Sequence, residues 1–523
     1  MDEYESKHAP AMGDEVPAHQ QTDEHDARVL QNLGYKQQLN RTFGFMSSLG
    51  LTTTVMATWE AYSVTFTTVL TNGGPVALIY GFFFAFIGTL CTCASLAEYA
   101  SMSPTSAAQY RWAAELAPRK HFRIVSWVFG WITFWGWQLT TASPAYLAAT
   151  MIQALAVLNY PDTYVYKAYH GTLIYWCIIL LGVVVNVGFA KWLPRLEGFL
   201  FIWHVVGFFA VLIPLVYLGP QTSAEFVFTS TVNSGQWPNY GISFCVGLIV
   251  NTFPFVGYDA ACHMSEEVKE PTVVLPRAMI GTIIINGLLG FGMIIALLFS
   301  LGNLDDVLKA PVSLAGYPVI EIYHQATKSV HGANAMTSVS LVIVIMAHFG
   351  LMAGCSRTAW AFARDRGLPA SGYFAHVSES SQVPFRAIML SVVIQILLGL
   401  INIGSSSAFL AFINSAAAAL YITYITPVIL GVMKRWRGEH IPYGPFQLGK
   451  YRGVINGFAI VYTLFTTFFL LWPAMQNPTA AEMNWTIVLI GGVFVFAAFW
   501  WFVEGRKSFV GPNIEATLNQ HKE

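Results

Sequence analysis

Apolar residues in this chain come in long runs separated by short polar breaks, without the one-sided rhythm of a helix on a soluble protein. Twelve such runs can be counted, near 44–70, 75–99, 124–156, 171–190, 196–218, 241–264, 278–301, 334–362, 385–403, 408–433, 453–475 and 484–503. Each is close to the ~20 residues that carry a helix across a bilayer. The breaks between them are charged or rich in Gly, Pro and Asn. Lipid offers no partner for a bare backbone, so each run is predicted to satisfy its own peptide groups as a helix. The expected fold is an all-α polytopic membrane protein of 12 transmembrane helices.

Composition agrees: hydrophobic residues make up 55% of the 523 and charged ones only 11%, against ~25% charged in a soluble domain. A net charge of -1 leaves no basic field for nucleic acid. An even count of spans puts both ends on one side of the membrane. Of the 27 Lys and Arg, only Lys167, Lys309 and Lys328 fall in one set of loops, and the rest lie in the tails and the opposite loops. By the positive-inside rule both termini face the cytoplasm. The six cysteines sit inside apolar runs and read as packing residues, with no metal-ligand spacing and no cofactor implied. The first 42 residues are acidic, have no apolar stretch of signal-peptide type, and are expected to be a disordered cytosolic tail.

Two spans carry polar interruptions at mid-membrane depth. Span 1 holds Thr52-Thr53-Thr54 and then Thr58-Trp59-Glu60; span 6 holds Asn251-Thr252-Phe253-Pro254-Phe255-Val256-Gly257-Tyr258-Asp259. Broken helices five spans apart, running in opposite directions, are what an inverted repeat of spans 1–5 and 6–10 produces. The expected organisation is a cytosolic tail over 1–42, a ten-helix inverted-repeat transport core over 43–433, helices 11 and 12 over 434–503, and a cytosolic tail over 504–523. Unpaired N–H and C=O groups persist in lipid only where ligand, ion, water or protein supplies partners. The two breaks are therefore predicted to line a cavity suited to a small zwitterion or cation.

Glu60 and Asp259 are the acids expected deepest in the membrane, where an ionised carboxylate costs at least ~2.5 kcal/mol. Each is either neutral or hydrogen-bonded for structural reasons, or attracts a substrate amine or exchanges a proton. Trp59, Phe253 and Phe255 flank the breaks and are candidates to hold an ammonium or to gate the site. Gln138 and Asn414 are further candidates for the cavity wall, with a helix-joining role as the alternative, and Trp135 is another, with packing or the interface belt as its alternative. His204, His263 and His348 are embedded histidines; His204 and His348 are taken as proton-coupling candidates beside Glu60 and Asp259.

Several spaced motifs resemble the amino acid-polyamine-organocation superfamily. They are Gly73-Gly74-Pro75, Ser95-Leu96-Ala97-Glu98, Pro104-Thr105-Ser106 with Gln109-Tyr110-Arg111-Trp112, Phe255-Val256-Gly257-Tyr258-Asp259, Ser265-Glu266-Glu267, Pro276-Arg277-Ala278 and Trp360 to Pro369. The branch they resemble is that of the fungal amino acid/choline permeases, which includes 4-aminobutyrate and choline carriers. The similarity runs from Leu33 to about Arg437. It implies a leucine-transporter-like 5+5 inverted repeat plus two C-terminal helices, and proton-coupled uptake of a small amino compound. Carried over residue by residue, Met56, Ala57, Thr58, Trp59 and Glu60 in span 1, with Phe253, Phe255, Val256, Gly257 and Asp259 in span 6, match the substrate-binding breaks. The superfamily's glycine-rich span 1 signature is replaced here by Ala57-Thr58-Trp59-Glu60. His204 and His348 would stand where sodium-coupled relatives hold their ion.

Glu266, Glu267, Arg364, Asp365 and Arg366 lie at the expected cytoplasmic ends of helices, as ion pairs of a gate or as solvated flanks. The leading reading is a secondary active transporter, a proton-coupled symporter, that imports a small amine-bearing solute such as an amino acid, 4-aminobutyrate or choline by alternating access. Its partners would be the small-molecule substrate, protons and the lipid bilayer. The alternative is a non-transporting nutrient sensor of the same fold. An enzyme ranks last, since no nucleotide motif or converging nucleophile and base is present. The plasma membrane is the expected address, the vacuolar membrane the alternative.

Overall fold

A helix surrounded by lipid on one side and protein on the other sorts its residues inversely to a soluble helix, and one helix of this protein illustrates the rule. Along 193–218, Phe199, Ile202, Val206, Phe209 and Ile213 face outward, while Glu197, His204, Gly207, Val211 and Leu215 are buried. Apolar bulk meets the lipid, and polar and small residues meet the protein, where close approach and hydrogen bonds hold helices together. The computed structural model describes residues 18–514 other than 380, 405–407 and 481.

Among the described residues the architecture is helical, with only two isolated bridges, Phe43 with Val268 and Asn72 with Asn233. The helices used below are α1 (Ala18–Asn32), α2 (Phe45–Met56), α3 (Thr58–Thr71), α4 (Gly74–Met102), α5 (Gln109–Leu116), α6 (Phe122–Asn159), α7 (Ala168–Val183), α8 (Leu193–Leu218), α9 (Tyr240–Leu248) and α10 (Ala260–His263). They continue with α11 (Pro271–Phe299), α12 (Pro318–Thr327), α13 (Val330–Arg364), α14 (Phe385–Gly399), α15 (Ala408–Trp436), α16 (Arg452–Leu470) and α17 (Thr486–Trp500). Ten helices among the described residues are long and apolar enough to cross a membrane. The chain is a multi-pass integral membrane protein.

Spans 1 and 6 are absent from those ten because both are divided. The core forms where α6 packs against α13 and α15, and where α11 packs against α4, α2 and α3. α16 covers α4 and α15, and α17 lies against α6 and α15. The disorder expected for 1–42 does not hold for its described part. Ala18–Asn32 is a helix, and Leu30 within it and Leu33, Tyr35 and Leu39 after it are buried. An acidic composition suggested a solvated tail, but these apolar side chains find a surface to cover, and burying them offsets the ordering cost.

Candidate functional site

The first break falls at Ala57, which takes the left-handed conformation (φ 42, ψ 49) between α2 and α3. A non-glycine residue pays ~1–2 kcal/mol for that geometry, so the surroundings must hold it. They do so mainly from α11. Asn286 Oδ1 accepts the Thr58 N–H at 3.2 Å, and its Nδ2 donates to the Thr53 carbonyl at 3.3 Å and to Thr282 Oγ1 at 3.0 Å. Thr58 Oγ1 donates to the Pro254 carbonyl at 2.7 Å, tying one break to the other.

The second break is longer. After α9 the chain passes through two short 3-10 turns, Ile249–Asn251 and Phe253–Phe255. It then becomes extended at Val256 and turns through Gly257 at φ +99 before α10 begins. A Cβ at Gly257 would lie 2.8 Å from Val55 Cγ1, so this position needs glycine for its conformation and for the close pass of α2. Asn251 Nδ2 donates to the Ala77 carbonyl at 3.1 Å, and Tyr62 OH donates to Asn251 Oδ1 at 3.1 Å. Tyr421 of α15 reaches the Thr252 carbonyl at 3.3 Å.

Between the breaks lies a cavity of about 50 Å³ lined by residues that include Met56, Ala57, Glu60, Phe253 and Val256, with Thr140, Pro144 and Leu147 from α6 and Val344, Ala347 and Leu351 from α13. That space holds a few water molecules and is well below the ~300 Å³ of an ordinary ligand pocket. Glu60 is fully buried; Oε1 lies 2.9 Å from His204 Nδ1, while Oε2 and His204 Nε2 have no partner among the described residues. Trp59 turns away from the cavity, its Nε1 donating to the His204 carbonyl at 3.2 Å and its ring packing on Phe208. Phe255 packs into an aromatic cluster with Tyr62, Phe82 and Phe86.

Several candidates are not brought to this cavity. Asp259 belongs to a separate buried network: Tyr424 OH donates to Oδ1 at 2.6 Å, Gln109 Nε2 donates to Oδ2, and His263 Nε2 lies 3.3 Å from the same oxygen. Gln138 donates to Ser391 Oγ of α14 at 2.9 Å, and so joins helices. Trp135 lies on the α17 side of α6, in a small apolar pocket with Leu489, Ile490 and Val493. A helix's facing cannot be read from an apolar run whose sides are nearly equally hydrophobic, so the sequence does not decide between a cavity wall and a helix contact for either residue. His348 faces α6 and α7: its Nδ1 lies 2.9 Å from the Thr141 carbonyl, and Gly182 lies against its ring. The side chain of Asn414 lies outside the described residues.

At the end of the bundle where α13 ends, a second constellation seals the helices. Glu266 accepts both arms of Arg364, at 2.9 and 3.0 Å, and its Oε1 also accepts the Ser106 N–H at 3.2 Å. Asp365 accepts from Tyr35 OH and Tyr110 OH, each at 2.9 Å. The Arg364 guanidinium stands 3.8 Å over the Tyr35 ring and 4.4 Å over Trp360. Burial, then the charge of Asp365, pushes the Tyr35 phenol up, so it remains a donor at any physiological pH. Glu267 pairs instead with buried Arg357, at 2.8 Å. Arg366 is exposed and takes a left-handed turn. Tyr35, Arg357 and Asn286 carried no motif, and only the tertiary contacts reveal them.

A family model for amino acid permeases matches residues 43–494. The chain belongs to the amino acid permease family. Among its relatives, the choline transporter of Saccharomyces cerevisiae is 31% identical over 477 residues, covering 90% of this chain and 83% of that protein. Amino-acid permease BAT1 of Arabidopsis thaliana is 31% identical over 500 residues, covering 92% and 95%. Amino-acid permease 2 of Neurospora crassa is 26% identical over 496 residues, covering 93% and 88%. The fungal branch expected from the motifs is thereby confirmed, and this permease is a transporter rather than an enzyme.

Proposed function

We propose that this permease imports a small amino compound, an amino acid in preference to choline, by proton-coupled alternating access. The observation that carries the reading is the pair of facing breaks around Glu60. The start of α3 leaves the first-turn N–H groups without intrahelical partners. Asn286 takes that of Thr58, and those of Trp59 and Glu60 remain for a substrate carboxylate. The Glu60 carboxylate, with Oε2 unpartnered, suits the amine of the same molecule. A zwitterion would satisfy both; choline would leave the N–H groups bare. With ~50 Å³ between the breaks, substrate entry requires the walls to part, as a state of the cycle in which the site is closed demands.

In this reading the divided spans add to the ten long helices to give twelve crossings, arranged as a five-plus-five inverted repeat with two helices outside it. Both termini are cytoplasmic and the plasma membrane is the address. The Glu60–His204 pair exchanges the coupled proton, and the contacts of Glu266, Glu267, Arg364 and Asp365 form the cytoplasmic gate, here closed. Asp259 serves through its hydrogen-bond network beneath the site, and His348 as a helix-joining group. The test is uptake into vesicles containing the purified protein, with labelled alanine, 4-aminobutyrate and choline at two external pH values. Accumulation of an amino acid that rises with an inward proton gradient is expected. Accumulation of none of the three, or the same rate with and without the gradient, would defeat the proposal.

A further inference from the structure

α8 carries a further buried acid, which lies outside the cavity. Glu197 is fully buried one turn into the helix, among residues that otherwise face protein or lipid with apolar side chains. Its Oε2 accepts the Thr54 hydroxyl at 2.8 Å, and its Oε1 has no partner among the described residues. A Cβ at Gly350 would stand 2.9 Å from that bare oxygen, so α13 passes it with a glycine and leaves a narrow space. Among the described residues no cation pairs with Glu197.

We propose that Glu197 is a proton-binding station of the transport cycle, joined to the cavity by the Glu60–His204 pair along one face of α8. The inference rests on the proton-coupled reading above. An ionised carboxylate with a single hydrogen bond is costly at this depth. The neutral acid fits the geometry: one oxygen accepts from Thr54 and the other carries a proton into the gap beside Gly350. Glu197 and His204 are seven residues apart, two turns of helix, so they share a face about 10 Å apart along the axis. Glu60 Oε2, His204 Nε2 and Glu197 Oε1 are thus three unpartnered polar atoms on three buried titratable groups, in sequence from the cavity toward the start of α8. Exposed Lys191 and Arg195 mark that start as close to the surface.

The same contacts couple the proton to movement. Thr54 lies three residues before the break at Ala57, and Gly50, one turn earlier, passes directly against the Glu197 backbone. Any shift of α2 against α8 that opens the site must break the Thr54–Glu197 bond and admit water to the acid.

The charged surroundings are few. α2 has no titratable side chain. On α13 the His348 ring is turned to α6 and α7. On α12, which also packs on α8, Glu321 and His324 pair with each other. On α11 Arg277 is exposed. On α8 itself only His204 shares the face.

The experiment uses the full chain in vesicles with whichever of labelled alanine, 4-aminobutyrate or choline the wild type accumulates, and an internal pH-sensitive dye. Glu197→Gln should keep substrate exchange at equal pH, while gradient-driven accumulation and substrate-linked proton entry fall by about tenfold or more. Glu197→Asp, which keeps the acid, should restore part of both. Wild-type accumulation by Glu197→Gln would overturn the proposal. So would loss of exchange and accumulation together in both variants, which marks a packing role, or dependence on a sodium gradient in place of the proton gradient. If Glu197→Gln does not fold, Glu197→Asp decides: a displaced pH profile supports the assignment and an unchanged one rejects it. A wild type indifferent to pH would instead sink the proton-coupled reading, and this inference with it.

Discussion

Asn286 offers the most direct test of how the first break is held. Asn286→Ala removes the acceptor of the Thr58 N–H and one of two donors to the Thr53 carbonyl. Thr53 keeps the Ala57 N–H at 3.0 Å, so only Thr58 is orphaned. An orphaned buried N–H costs ~1–3 kcal/mol, and the space left by the side chain adds about 1 kcal/mol. Released from its clamp, Ala57 also gains nothing by remaining left-handed, a geometry already ~1–2 kcal/mol uphill. The protein therefore loses ~2–4 kcal/mol of support for the broken geometry, enough to shift a two-state balance by more than about tenfold. The assay is thermal unfolding in detergent together with vesicle uptake normalised to inserted protein. A melting temperature lowered by about 5 °C and uptake reduced about tenfold are expected. Should the variant melt within about 1 °C of wild type and transport within about twofold, Asn286 would not be holding the break and the energetic account would be wrong.

Glu60→Gln should insert normally yet abolish proton-driven uptake, and Asp259→Asn should lower stability and slow transport without changing substrate preference. Normal uptake by Glu60→Gln, compared at equal surface abundance, would defeat the site assignment. Gly257→Ala forces a side chain into a φ +99 turn and against Val55, so a loss of at least ~2 kcal/mol in chemical unfolding and near-complete loss of substrate binding are expected. Ala57→Gly relieves the left-handed strain and should raise the melting temperature by a degree or so, unlike Ala57→Val, which should lower it. Tyr35→Phe and Arg364→Lys loosen the sealed end, one by removing a hydrogen bond to Asp365 and the other by losing the two-armed pair with Glu266. Faster thiol labelling of a cysteine placed at Val256 from the cytoplasmic side reads this out, and unchanged labelling in both would count against a gate.

The run lengths of apolar residues determined most of this protein without any tertiary information. Lipid forbids unpaired backbone, so a long apolar stretch has little choice but to be a helix, and ten spans appear near their expected positions. The same constraint made Thr58-Trp59-Glu60 and the Pro254–Gly257 stretch legible as breaks, because polar and helix-breaking residues are tolerated at that depth only for a reason. Which way each helix faces was a different matter. In α6, Trp135 and Gln138 sit within about a turn and a half of Thr140, yet of the three only Thr140 borders the cavity; rotation about the helix axis is fixed by partners hundreds of residues away. Asn286, Glu197 and Arg357 lie in runs that look merely apolar or merely charged, and they gain meaning from what crosses them: a bare N–H, a threonine hydroxyl, a glutamate. The sequence settles where the chain must be helical, since that is a local contest between backbone and lipid. Packing alone decides which polar atoms meet, since hydrogen bonds act over about 3 Å and depend on the register and rotation of separate helices.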